Sequence, residues 1–152
     1  MLRFCLGLLS GLLLAQTLPA GQPGFRAELI GGTLPGIAAK SSAEIDLRST
    51  DNLLLRSGRE EVRIPYGRVN ALEYGQNVSR RYTAAVLVSP VFLLSKSRKH
   101  FVTVGYADSE GRQQALVFRV SKGDIRPVLA GLEARTGRRV EYQDDNARKN
   151  GQ

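Results

Sequence analysis

"KHFVTVGYADSEGRQQALVFRVSKGDIRPVLAGLEARTG", Lys99–Gly137, changes its repeat part-way along. Through its first half the side chains alternate: Phe101 and Thr103 face one way, Val102 and Val104 the other. Alternation of this kind marks a β-strand. "SEGR" places Gly111 where a turn is needed, and "QQALVFRVS" then resumes the strand pattern. Phe101–Ala107 and Gln113–Val120 are therefore expected to pair as an antiparallel hairpin. Beyond Gly123 the repeat lengthens. Ile125, Val128, Leu129 and Leu132 fall three or four residues apart, the stripe of an amphipathic helix, which we place at 124–136. Asp124 stands where an N-cap would, Pro127 is tolerable in a first turn, and Gly137 is a natural stop.

Upstream the alternation recurs in shorter pieces. "FRAELIGGTL" reads as a first strand with a bulge or bend at Gly31-Gly32. In "AEIDLRS" Ala43, Ile45 and Leu47 share one side. "LLLR" and "EVRIPY" flank a hairpin signal at Gly58, and Pro65, which has no N–H for a ladder, ends its strand or lies on an edge. "GRVNALEYG" carries Val69, Leu72 and Tyr74 as apolar anchors. A series of strands followed by one helix is an α+β plan, mainly antiparallel β. It suits a bent barrel or sandwich of about seven strands closed by the C-terminal helix. Residues 138–152 read as a polar, frayed tail with room for one short strand.

The first 20 residues differ in kind. Arg3 precedes an apolar run from Phe4 to about Leu18, and "LPA" precedes Gly21. That is the order of a secretory signal peptide, with cleavage expected after Ala20. The run falls short of the ~20 apolar residues of a comfortable span, and an uncleaved N-terminal anchor is the alternative. The chain has 152 residues and a formal charge of +8, from 22 Lys+Arg against 14 Asp+Glu. Cleavage would remove Arg3 and Cys5, the only cysteine, leaving a basic periplasmic or secreted domain with no thiol.

"VRIPYGRVNALEYG" (Val62–Gly75) and "KHFVTVGYADSEGRQQALVFRVSKGD" with its following helix resemble bacterial pleckstrin-homology-like and GRAM-like domains. The resemblance spans roughly residues 26–137, rests on hydrophobic spacing, and places the domain at 25–137. It implies the bent-barrel fold, and motifs of this kind specify fold more than activity. The chain departs from phosphoinositide-binding members in one respect: the loop "PGIAAKSSA" after the first strand holds a single basic residue, Lys40.

Little in the chain points to chemistry. His100 is the only histidine, and a triad of Ser97, His100 and Asp108 exists only as residue types, with no nucleophile elbow around the serine. Glu60-Glu61 and Asp144-Asp145 are adjacent pairs, and neighbours on a strand point to opposite faces. No metal-ligand spacing and no phosphate loop occurs, and we expect no cofactor and no enzyme activity. "NVS" at Asn77 matches a glycosylation sequon.

Charge distribution says more. From Tyr74 to Ala107 there is no Asp or Glu, while Arg80, Arg81, Lys96, Arg98, Lys99 and His100 fall in that stretch. Val91, Phe92, Leu93 and Leu94 stand beside them. Ala84–Leu94 reads as a buried strand, a helix or an exposed loop, and is too short to cross a bilayer, which takes about 20 residues. The expectation is an exported, non-enzymatic module that meets a protein partner or an anionic surface through residues 80–100. A peripheral membrane or lipid-binding domain is the first alternative and an enzyme of unrecognised type the second. Export and the lack of interleaved aromatics argue against nucleic acid.

Overall fold

A computed structural model describes residues 24–33, 39–76 and 99–152. The described residues form one eight-stranded sheet and two helices. The strands are β1 (Phe25–Gly32), β2 (Ser41–Asp46), β3 (Asn52–Ser57), β4 (Glu60–Pro65), β5 (Val69–Gly75), β6 (His100–Ala107), β7 (Gln113–Val120) and β8 (Val140–Tyr142). The helices are α1 (Ile125–Thr136) and α2 (Asp145–Gly151). The strand order is β4-β3-β2-β1-β7-β6-β5-β8. Every neighbouring pair is antiparallel except β5 and β8, which run parallel. The class is thus α+β, mainly antiparallel.

That order forces curvature. In a flat sheet β4 and β5 would lie six interstrand spacings apart, about 29 Å. The chain passes from Pro65 to Val69 through one 3-10 turn, Tyr66–Arg68, and four residue steps span at most about 14 Å. The sheet must therefore curl until its two ends approach. It remains open, with β4 and β8 as the two outer strands.

Curling creates the interior. Leu29, Ile45, Leu53, Leu55, Ile64, Leu72, Tyr74, Val104, Leu116 and Phe118 are all buried in one cluster. α1 closes that cluster with Ile125, Val128, Leu129 and Leu132, the stripe expected of it. Gly131 lets the helix approach: a Cβ there would lie 2.7 Å from Leu47 Cδ1. At Gly137 the backbone turns left-handed (φ 67°) and its N–H bonds the Glu133 carbonyl, ending the helix. A smaller cluster of Ile30, Phe101, Ala115 and Val117 is buried on the other sheet face.

Several details depart from the sequence expectation. The first-strand bulge lies between Leu29 and Gly31, slightly before the glycine pair. Asp124 does not cap α1. Its own backbone is already helical (φ −96°, ψ −7°), and its carboxylate accepts a bond from Ser121 Oγ at 2.6 Å. Among the described residues the sheet has eight strands rather than about seven, and there are two helices rather than one, before and after β8. Residues 138–152, expected as a frayed tail, carry β8 and α2. β8 pairs with β5, Asp144 caps α2 by accepting from the Ala147 N–H at 2.7 Å, and Ala147 is fully buried.

The outer face of β2, β3 and β4 carries charge in place of apolar packing. The Asp46 carboxylate, buried at the end of β2, accepts from Arg48 Nε and Nη2, from the Arg48 N–H and from Arg56 Nη1, at 2.6–2.9 Å. The Arg48 side chain, then the Arg48 backbone and Arg56, hold this acid well below the usual carboxylate range, against the opposing pull of burial. Asp46→Ala should cost about 2 kcal/mol in chemical denaturation, because four donors lose their acceptor. The sign of the pH effect follows from the depressed value. The contribution is fully present above the ordinary Asp pKa of about 3.9 and fades as pH falls below it. The difference between wild type and variant should therefore hold from pH 7 to pH 5 and shrink in stronger acid.

A cationic concavity at one end of the sheet

Register decides which residues meet at the open end of β1, β7 and β6. Val120 pairs with Ala27 on one side and with His100 on the other. This row brings the start of β1, the start of β6 and the end of β7 together. They border a shallow concavity of about 600 Å³ lined by Arg26, Ala27, Glu28, Lys99, His100, Arg119, Val120, Ser121 and Lys122.

The lining is strongly positive. Arg26, Lys99, Arg119 and Lys122 are basic, and Glu28 is the one acid among the lining residues. Glu28 forms an ion pair with Arg119, so their charges largely offset each other. Arg26 and Lys122 are exposed, and Lys99 is half-buried. Cations set side by side on a low-dielectric wall raise the local concentration of anions.

His100 lies where the concavity meets the core. Its ring is nearly parallel to that of Tyr74 (6°, centroids 6.0 Å apart), and Nδ1 lies 2.5 Å from Tyr74 Oη. The edge of Tyr142 from β8 packs on Tyr74 at 84°. Burial, with Tyr142 and Asp144 adding negative potential, pushes the Tyr74 phenol up to about 12. Tyr74 thus keeps its proton, and Oη and Nδ1 share one hydrogen bond whose donor is set by the imidazole tautomer. Burial, and then the Lys122 charge, push His100 below its ordinary value.

Of the residues the sequence singled out, Lys99 and His100 come to this concavity. Arg80, Arg81, Lys96 and Arg98, with the apolar Val91, Phe92, Leu93 and Leu94, lie outside the described residues, as do the leader, Asn77 and Ser97. The paper triad does not assemble. His100 and Asp108 mark opposite ends of β6, about 26 Å apart for eight strand residues. Asp108 belongs to the β6–β7 turn. Burial pushes its carboxyl up, but bonds from the Arg112 and Glu110 N–H groups and the Arg112 and Gln114 side chains prevail and hold it at about 2. The adjacent acid pairs are likewise structural: Glu61 receives Arg56 and Arg63, and Asp144 caps α2.

No protein-family model matches the sequence, and a comparison with curated proteins found none significantly similar to it. Among the described residues no three His, Cys, Asp or Glu side chains are grouped to hold a metal ion. No described helix is long and apolar enough to cross a membrane. Sequence reading missed Arg26, Arg119 and Lys122. The hairpin register was a usable signal for the last two, since pairing Ala107 with Gln113 carries His100 to Val120. Arg26 joins them only through the long-range β1–β7 pairing.

Proposed function

We propose that this chain is an exported, non-catalytic binding module of the pleckstrin-homology-like kind, and that it holds an anionic group of its partner on the concavity between β1, β6 and β7. The observation that carries the reading is the convergence of Arg26, Lys99, Arg119 and Lys122 around one acid that is already paired. The curled antiparallel sheet with a helix over its interior is in keeping with a bent barrel. The acid-free stretch from Tyr74 to Ala107 feeds into the same end of the sheet at Lys99.

The partner's anionic group belongs either to an acidic protein surface or to an anionic membrane. Each cation near a charged surface contributes about 1 kcal/mol, with strong salt dependence. Arg26→Glu combined with Lys122→Glu should therefore weaken binding to phosphatidylglycerol-rich vesicles, or to a polyglutamate chain, more than tenfold at low salt. Both positions are exposed, so folding should be unaffected, as unfolding curves would verify. Equal binding by wild type and the double variant to both probes would overturn the proposal.

A further inference from the structure

The concavity holds one imidazole, His100, and its placement has a consequence. We infer that an anion binds to this concavity together with a proton, which the His100 ring takes up beside Tyr74. The inference rests on the binding role proposed above and adds the regulation of that same site.

The surroundings of His100 argue for it. From β5 the Tyr74 hydroxyl faces Nδ1, and Tyr142 of β8 stands behind Tyr74. From β7 the opposing residue is Val120, which offers no charge. Lys122 beyond it and Lys99 just before β6 are basic. β1 brings Arg26 and Glu28, and Glu28 is engaged by Arg119. From α2 the cap residue Asp144 acts on Tyr74, where it favours the protonated phenol. Among the described lining residues Glu28 is engaged by Arg119, and burial and Lys122 oppose a protonated imidazole, so the neutral ring is favoured until an anion arrives.

An anion on the rim reverses that balance. Its charge sits in the concavity that the ring also lines and offsets Lys122, so the imidazolium becomes the favoured form. The proton completes the imidazolium, both of whose ring nitrogens donate, so the Tyr74 hydroxyl accepts from Nδ1. No bond other than this N–H forms, and no backbone movement is required. By linkage, whatever raises the proton affinity of His100 when the anion binds also raises the affinity for the anion when pH falls.

The test uses sulfate, whose own charge is constant between pH 5 and pH 8, and the intact protein. His100 is the only histidine, so its ring gives a single set of NMR signals. Saturating sulfate should raise the His100 titration midpoint by roughly half a unit to one unit. The sulfate dissociation constant should tighten on the order of 3- to 10-fold from pH 8 to pH 5. In His100→Gln sulfate should still bind, with an affinity that no longer depends on pH over this range.

Sulfate that binds wild type equally at both pH values, with an unmoved midpoint, would overturn proton uptake and leave the binding site in place. Sulfate that fails to shift the Arg26, Arg119 and Lys122 signals at either pH would overturn both. The midpoint measurement needs no variant, so it decides the matter even if His100→Gln folds poorly.

Discussion

Phe118→Ala should lower the free energy of unfolding by about 3–5 kcal/mol, the usual range for deleting a fully buried aromatic ring. Phe118 sits in β7, with β1 and β6 on its two sides, and its ring is fully buried. The register places it beside Leu29 on one neighbour and Val102 on the other, both in the same core cluster. The cavity cannot close easily, because each flanking residue is fixed by a ladder on its own far side. Urea denaturation with an unchanged slope would report this as a loss of stability rather than a change in the unfolded state. Phe118→Leu keeps most of the volume and should cost less than half as much. A loss below about 1 kcal/mol for the alanine variant would mean that the sheet does not curl around a shared interior.

The contrast between hairpin, helix and tail shows what kind of information the chain carries locally. The β6–β7 hairpin and α1 are legible because their signals lie within a few residues: alternation, a turn glycine, a stripe of four apolar residues and Gly137. The pairing of β1 with β7 has no local mark, since nothing near Phe25 names a partner ninety residues away. The same is true of β8, three residues long and parallel to β5. Its partner side chains, Val140 and Tyr142, are too few to reveal a period. α2 hides for another reason: six of its seven residues are polar or glycine, and its single buried side chain is Ala147. The concavity is divided in the same way. Lys99 and His100 stand out within an acid-free run, while Arg26 reaches them only through the β1–β7 ladder. Asp124 failed as a cap because sequence position does not report backbone angle.

Deleting residues 139–152 should destabilise the protein by about 3 kcal/mol or more, although the segment looks expendable in sequence. β8 adds a ladder to β5, and beyond it the Gln143 N–H donates to the Tyr74 carbonyl at 3.1 Å. Val140 and Ala147 belong to the buried core cluster, and Tyr142 packs against it. Exposing such side chains costs roughly 1–2 kcal/mol each, before the uncovered Leu129 and Tyr74 are counted. Ala147→Asp provides a milder version, because a carboxylate at a fully buried position lacks room and partners. Thermal unfolding should place both variants well below wild type, whereas a frayed tail would leave the midpoint within the scatter of surface substitutions. The deletion also reaches the proposed binding site. Without Tyr142 beside it, Tyr74 is better solvated, and so is the His100 ring that Tyr74 contacts. Burial is the first cause holding His100 below its ordinary value, so its titration midpoint should rise toward about 6.5 in the truncated protein. For wild type the depressed value means that stability declines as pH falls through the window below about 6.5, because the unfolded chain binds the proton more readily. The truncated protein should lose most of that slope, which separates the effect on His100 from the general loss of packing.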